Sequence, residues 1–531
     1  MEENLRGGMV MSDKMTPIAF QDLLGQYLME FRYSRTLAGV PFTENKKRIP
    51  IGAAAGPHTQ LAGNLVAAYA AGAMYMELKT VQVLEQEQLG IQKPCISVGH
   101  EVYNTEWSTE LTIEEAKNEY IKAYLLIQVL CKELELGEPV FHFICSVGYD
   151  LQGIQSQKVD HFLNAMQSAK ETEEWKKDIA FLKEAAENFE HLTLWDIEKM
   201  EEEDCISDTV TLSTMHGCKA EEIESIVTYL LEKKGFHVYV KMNPTLIGKE
   251  KTEWILKEKG YKNITFREEI FLSDLKLSQA EALLSSCQQI ARKQGKILGV
   301  KMTNTFPVII QKKELQGDTM YLSGTALYAL SVNAAAKLIN RLDGMKIPIS
   351  YSGGADKNNI VKLLKTGMQP ITMSSILLQA GGYRNLTKLL KEAECEELQK
   401  RETVDKEYLT ELAEEAVIDF HYNYKPTKKP ERKEPYDVLC AKCHNCVDVC
   451  PNRANIWVEG TEKSYVVHMD ALCNECGCCA SLCVMGHVPY QEKYTIFSEE
   501  DGEEEIVNLA KKQGKLPATC GVNRKEEKNG V

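Results

Sequence analysis

Short apolar runs alternate along the chain with longer segments whose apolar residues recur at helical spacing. The runs cover residues 49–56, 73–80, 139–147, 208–215, 237–244, 297–305, 348–354 and 370–375. Amphipathic segments such as Thr112–Leu134 and Ala220–Lys234 lie between most of them. Eight β-rich runs alternating with helices over roughly 330 residues predict an α/β fold: a closed parallel (β/α)8 barrel rather than an open sheet. A ninth candidate strand, 263–268, reads as part of an insertion between the fifth and sixth strands. The expected organisation is a helical extension (1–48) and a barrel (49–395) with insertions near 160–205 and 245–296. A helical segment and Pro/Lys linker (396–435), a small α+β cysteine-rich domain (436–492) and an acidic/basic tail (493–531) follow.

Composition narrows the class. Hydrophobic residues make up 44% and charged residues 26%, as expected for packed globular domains. Net charge is −15, and no Lys/Arg stripe with interleaved aromatics is visible, so nucleic acid is not an expected partner. Glu171–Asp204 carries 13 acidic and 4 basic residues, which reads as a solvated helical face, with a docking face for a basic partner as the alternative. The start, MEENLRGGMVMSDKM, has no apolar core, and the longest apolar run, Leu61–Met76, is shorter than a membrane span requires. The expectation is a cytoplasmic protein without a membrane segment. In that compartment seventeen cysteines point to metal ligands rather than disulfides.

Nine of those cysteines lie between Cys440 and Cys483. Cys440, Cys443, Cys446 and Cys450-Pro451 form C-x2-C-x2-C-x3-C-P. Cys473, Cys476, Cys479 and Cys483 repeat the spacing, with Val484 in the proline position. Three thiolates on a tight loop wrap one face of a cubane, and the distant fourth ligates the other cluster. Two [4Fe–4S] clusters are therefore expected, one on Cys440, Cys443, Cys446 and Cys483, the other on Cys473, Cys476, Cys479 and Cys450, in a ferredoxin-like domain. Zinc sites use pairs of C-x2-C rather than four cysteines in one run. Cys478 is surplus to the eight ligands and reads as a small buried residue. Paired clusters carry single electrons between two-electron donors and acceptors, so the barrel is expected to hold or dock a flavin.

The strand ends agree with that expectation. AAAGPHT, ELKT, CSVG, LSTMHG, KMNPT, KMTNT, SGGAD and MSS all close in small or polar residues, and C-terminal strand ends form the active-site face of a barrel. Gly353-Gly354 after the seventh strand and Ser374-Ser375 after the eighth occupy the usual phosphate position, where backbone N–H groups must stay accessible. Lys79 and Lys241 sit near strand ends. A buried lysine is costly unless something negative pairs with it, and the pyrimidine edge of a reduced flavin is such a partner. Snorkelling to the rim is the alternative for each, and Lys301 is a rival for the same role.

The motifs AAAGPHTQLAGN, ELKTVQ, NTEWSTEL, LSTMHGC, KMNPTL, MTNT and ISYSGGAD carry a resemblance covering about residues 15–395. The barrel resembles the dihydroorotate dehydrogenase family, and barrel plus cysteine-rich tail resembles the corresponding half of dihydropyrimidine dehydrogenase. It is most similar to the N-terminal half of the bacterial group labelled selenate reductase, iron–sulfur/flavin subunit. The resemblance implies FMN with Ala54, Ala55 and Gly56 beside its dimethyl/N5 region. Lys79 and Lys241 would lie at its N1/O2 edge, with Thr80 and Ser213 among the cofactor-binding positions. Gly353, Gly354, Ser374 and Ser375 would hold the phosphate. Asn104, Asn304 and Thr305 match residues that hydrogen-bond a pyrimidine. The sequence departs at the fourth strand, where the pyrimidine enzyme's asparagine and acid cysteine become Thr211 and Thr214. A threonine hydroxyl is a far poorer acid than a thiol, which leaves Thr214, His216 and Cys218 as candidate proton donors, with structural roles as the alternative for the last two.

Two functions follow. In one, FMN exchanges electrons with a purine- or pyrimidine-like heterocycle, and the clusters link it to a partner FAD/NAD(P)H subunit, a dihydropyrimidine dehydrogenase subunit being one version. Longer members of the similar group continue into an FAD and NAD(P) module, whereas this sequence ends after an acidic stretch, Glu499–Glu505, and a Lys-rich tail. In the other, FMN only relays electrons within a larger complex, such as one with a molybdenum hydroxylase. Loss of the acid cysteine favours the relay; Asn104, Asn304 and Thr305 favour a substrate.

Overall fold

Eight parallel strands close into a barrel in the computed structural model: β1 (Ile51–Ala53), β2 (Tyr75–Glu77), β3 (His142–Val147), β4 (Thr209–Ser213), β5 (His237–Met242), β6 (Leu298–Met302), β7 (Ile349–Tyr351) and β8 (Ile371–Met373). Each strand pairs with its neighbours in chain order, and β8 closes on β1 through Ile371↔Ile51, Thr372↔Gly52 and Met373↔Ala53. The structure describes residues 5–6, 9–10, 14–106, 108–213, 217–342, 344–398, 401, 403–426, 440–459, 464–498 and 504–508. All eight expected strands form, each shorter than its apolar run because the flanking residues turn into loops. Residues 263–268 form no strand; the β5–β6 connection is helical, with Lys249–Glu258, Glu269–Ser273 and Leu277–Lys293.

Register sets the chemistry of the interior. Ser213 pairs with Lys241, Lys241 with Lys301 and Lys301 with Ser350, so two ammonium groups stand side by side at one level. Like charges in a poorly solvated interior repel strongly. Glu77 of β2 answers one of them: Lys301 donates to Glu77, which also accepts from Thr372 at 2.7 Å, while Lys301 donates to Thr372 at 2.6 Å. All three groups are buried.

A second sheet roofs the barrel mouth. Phe306–Ile309, Thr319–Gly324, Glu101–Asn104 and Ile96–Val98 lie antiparallel in that order. Two of its strands come from the segment after β2 and two from the segment after β6. Asn104 is paired with Tyr321 on one side and Ile96 on the other.

The cysteine-rich domain rests against this roof. Its sheet runs Asn455–Glu459, Ser464–Met469, Tyr494–Ser498 and Glu504–Asn508, so it extends past residue 492, where the sequence alone suggests a tail. The N–H groups of Cys95 and Ile96 donate to the Cys476 carbonyl at 3.1 and 2.8 Å. Ile96, Val98, Val102 and Leu378 pack with Cys446, Cys450, Cys476 and Cys479 in a small apolar core separate from that of the barrel. The N-terminal segment ties the two domains: Thr16 N–H donates to Ala471 at 2.8 Å, and Arg453 reaches the Ala38 carbonyl. Among the described residues, no helix is long and apolar enough to cross a membrane.

Candidate functional site

The loops at the C-terminal strand ends enclose two adjoining cavities. The larger, about 310 Å³, is lined by Ala55, Gly56, Lys79, Thr80, Asn104, Ser213, Lys241, Asn304, Thr305, Ser374 and Ser375, all expected from the sequence. It is also lined by Glu106, Tyr321 and Ser323, which sequence reasoning did not single out. Gly56 lies close to Ser374: a Cβ there would stand 2.2 Å from Ser374 Oγ, which would have to move.

The smaller cavity, about 110 Å³, shares Ala55, Lys241, Thr305, Ser374 and Ser375 with the first and adds Ala54, Gly353 and Gly354. Gly324 and Thr325 also line it, where the helix Thr325–Arg341 begins. Among the described residues no side chain caps that helix, so its first-turn N–H groups can meet an anion. Gly354 has φ +73, and a Cβ there would stand 2.5 Å from the Gly324 carbonyl oxygen; a Cβ on Gly353 would meet Ser331 Oγ at 2.4 Å. The pair is thus fixed as glycine by space and backbone conformation together. Small residues around a helix start suit a phosphate, and the cation in the shared wall suits an anionic ring.

The three interior lysines have different partners. Lys301 is held by Glu77 and faces the barrel interior, which removes it as a rival for the cavity. Lys79 is buried against Glu106, with Nζ 2.6 Å from the carboxylate, so a protein carboxylate supplies the partner expected of a flavin. Lys241 has no hydrogen-bond or ion-pair partner among the described residues. Burial pushes its ammonium down to about 8; Glu77 opposes that drop, and the charges of Lys301 and Lys79 add to it. Lys241 is therefore the cation available to an anionic ligand.

Two amides flank the same space. Asn304 is fixed by its N–H donating to the Met242 carbonyl at 2.8 Å and its side-chain amide donating to Asn243 Oδ1 at 2.7 Å. Asn104 is fixed by its place in the roof. The hydroxyls of Thr80 and Ser146 are 2.8 Å apart, and Ser146 reaches Ser213 at 3.5 Å, forming a polar edge along β2, β3 and β4. Thr214 and His216 lie outside the described residues. Cys218 is turned to Glu222 at 3.6 Å, lies outside both cavity linings, and is pushed up to about 12 by burial and that carboxylate.

The eight motif cysteines gather in two groups. The Cys446 thiol is pushed up to about 12 by burial; Lys493 opposes the rise, and Cys440, Cys483 and Cys443 are its thiol neighbours. Cys473, Cys476 and Cys479 are raised by burial, and all three have Cys450 as a neighbour. Cys446 also neighbours Cys479, so the two groups adjoin. Backbone N–H groups point at sulfur: Lys442 to Cys440 at 3.4 Å, Ala454 to Cys450 at 3.2 Å and Glu475 to Cys473 at 3.3 Å. Convergent thiols with amide donors around them suit iron–sulfur cubanes. Cys478 donates to the carbonyls of Leu378 and Val449, both at 3.6 Å, as a packed residue does.

Comparison with known proteins gives one family. The model described as "Oxidoreductase YgfK, N-terminal TIM-barrel domain" matches residues 29–425. YgfK of Escherichia coli K12, described as an oxidoreductase, is 37% identical over 475 residues, covering 84% of this chain and 46% of its own length. Its counterpart in Escherichia coli O157:H7 gives the same figures. The chain thus spans about half the length of the curated relatives it matches. Among solved structures, DHODH from Eimeria tenella in complex with ferulenol aligns with TM-score 0.40 and 13% identity over 74% of this chain and 97% of that one. Its ligand-free form gives 0.39 and 15% over 73% and 99%.

Proposed function

This chain belongs to the oxidoreductase family defined by the N-terminal TIM-barrel domain of YgfK, and from that premise we propose that it is an FMN and iron–sulfur oxidoreductase acting on a purine- or pyrimidine-like heterocycle. A single arrangement carries the reading: Lys241 and the asparagine pair Asn104 and Asn304 face one cavity, and the cysteine loop around Cys476 is hydrogen-bonded to its roof. FMN, when bound, supplies the switch between two-electron exchange with the substrate and single electrons for the clusters. The chain's own residues do the rest. Gly353, Gly354, Ser374 and Ser375 hold the phosphate, while Lys241 balances negative charge at the ring. Asn104 and Asn304 read ring N–H and C=O groups, since an amide offers both a donor and an acceptor. Thr305 and Ser323 border the ring from the β6 side.

The cluster on Cys450, Cys473, Cys476 and Cys479 is the inner one, next to the roof, and that on Cys440, Cys443, Cys446 and Cys483 the outer one, facing a partner. A separate FAD/NAD(P)H subunit is the expected electron donor or acceptor.

The test is anaerobic purification followed by dithionite reduction and a panel of purines and pyrimidines. Reoxidation of the bound flavin by one of them supports the reading. Transfer of electrons only to partner proteins, with no heterocycle reacting or binding, supports a pure relay, which Thr214 in the acid position favours. Thr214→Val separates the two again: general acid catalysis contributes about 10²–10⁴-fold, so heterocycle turnover collapses while relay rates stay near wild type.

A further inference from the structure

Electrons that travel through iron–sulfur clusters bring no protons. Reduction of one C=C or C=N bond consumes two electrons and two protons, so the protons need their own route from solvent to the flavin cavity. One cluster of groups outside the expected site lies where such a route would run. Glu106 faces the flavin cavity. Glu110 faces a separate cavity of about 460 Å³ on the side of the barrel, beside Lys14, Glu87, Lys93 and Glu115. Between them stands Cys95, whose thiol donates to Glu106 across 3.9 Å; one atom from each of the three side chains lies within 4.8 Å of the others.

Three acidic or thiol groups this close invite a metal reading, but the charges argue against one. Lys79 sits on Glu106 at 2.6 Å, and Lys93 is paired with Glu110 and lies 4.0 Å from the Cys95 sulfur. Two ammonium groups already occupy the carboxylates that a cation would need. The remaining oxygen of Glu110 accepts from Asn474 at 2.6 Å, in the loop between Cys473 and Cys476.

We propose that Glu110 and Glu106, held together by Cys95, form a proton inlet from the side cavity to the flavin cavity. Glu110 passes its proton to the Glu106 carboxylate, which releases it into the flavin cavity, and solvent in the side cavity restores Glu110. Two such cycles deliver the two protons that accompany two electrons from a low-potential donor, and no group in the inlet changes oxidation state. Burial and the neighbouring Glu106 charge push Glu110 up to about 7, while Lys93 and Asn474 hold it down, so both protonation states are in reach near neutral pH. Glu110 is a positioning and relay residue, not a ligand of substrate or flavin.

This inference rests on the flavin assignment above, and the experiment separates the two. Glu110→Gln and Glu110→Asp are made in the full chain and checked for flavin and iron content. Proton uptake on rapid dithionite reduction is followed with a pH-indicator dye, and carboxyl protonation by infrared titration. Glu110→Gln is expected to slow proton uptake by about 10²-fold, with flavin and iron content unchanged. Glu110→Asp should keep most of the rate, and imidazole or formate in the buffer should restore Glu110→Gln. Proton uptake at the wild-type rate in Glu110→Gln overturns the inlet. So does a slow Glu110→Gln that no weak acid rescues. If the wild type binds no flavin, the assignment above fails, but the infrared arm still decides: Glu106→Gln must shift the titration of the Glu110 carboxyl, and an unmoved titration overturns the coupling.

Discussion

Lys241→Met should make the flavin-free protein more stable and its flavin site worse. In the fold the ammonium's pKa falls from 10.5 to about 8. At ~1.36 kcal/mol per pH unit this is a cost of about 3 kcal/mol for keeping it charged; partial exposure to the cavity lowers that to about 2–3 kcal/mol. Because the folded pKa lies below the unfolded one, the charged form is disfavoured by folding. The cost is complete below pH 8 and fades as pH rises to 10.5. Methionine keeps the length of the side chain and removes the charge. The variant should therefore gain about 2–3 kcal/mol at pH 7 and almost nothing above pH ~10.5. An anionic ligand reverses the balance, since the buried cation then has a partner, and FMN affinity should fall about 10–100-fold, or roughly 1.4–2.7 kcal/mol. The assay is denaturant unfolding of flavin-stripped protein with its clusters retained, at pH 7 and pH 10, beside an FMN titration by fluorescence. A variant less stable than wild type at pH 7, or one with unchanged FMN affinity, refutes the assignment of Lys241 as the unpaired cation of the site.

Lys301→Met should behave in the opposite way. It leaves Glu77 charged and buried, so it should cost about 3–5 kcal/mol in the same unfolding assay, and the double variant Lys301→Met/Glu77→Leu should recover most of that loss. Gly354→Ala puts a Cβ against the Gly324 carbonyl at φ +73 and should weaken FMN binding at least about 10-fold, measured by retention of flavin on dialysis. Denaturation should release FMN and no FAD, as chromatography of the released flavin will tell. Cys446→Ser and Cys476→Ser should each remove about four of about eight irons, with only the second slowing reduction of the clusters by the flavin.

The barrel was legible because strands buried on both faces must be apolar, and because the loops at their C-terminal ends carry the small and polar residues of an active-site face. The gathering of the cysteines was legible because four of them in one run at that spacing can converge on one loop. The roof over the mouth was not. Its strand Glu101–Asn104 pairs with Thr319–Gly324, more than two hundred residues away, and four residues carry too little periodicity to announce such a partner. Glu106 was missed for the same reason, being one carboxylate in a loop whose meaning comes from Lys79. The lysines themselves were noticed, but sequence could not tell which of Lys79, Lys241 and Lys301 lacks a carboxylate. That answer depends on register across β4, β5, β6 and β7 and on Glu77 from the far side of the barrel.

The roof has a consequence for how this site can change. In most barrels each loop above the strands is free to vary by itself, which is why the fold accommodates so many chemistries. Here the two segments that roof the larger cavity are hydrogen-bonded to one another, with Asn104 facing Tyr321 across the ladder. A one-residue insertion in either segment would turn its side chains over and carry Asn104 or Tyr321 out of the cavity unless the other segment slipped in step. Relatives that accept different rings should therefore differ in both segments together or in neither, and an engineer altering specificity would have to exchange the two as a matched pair.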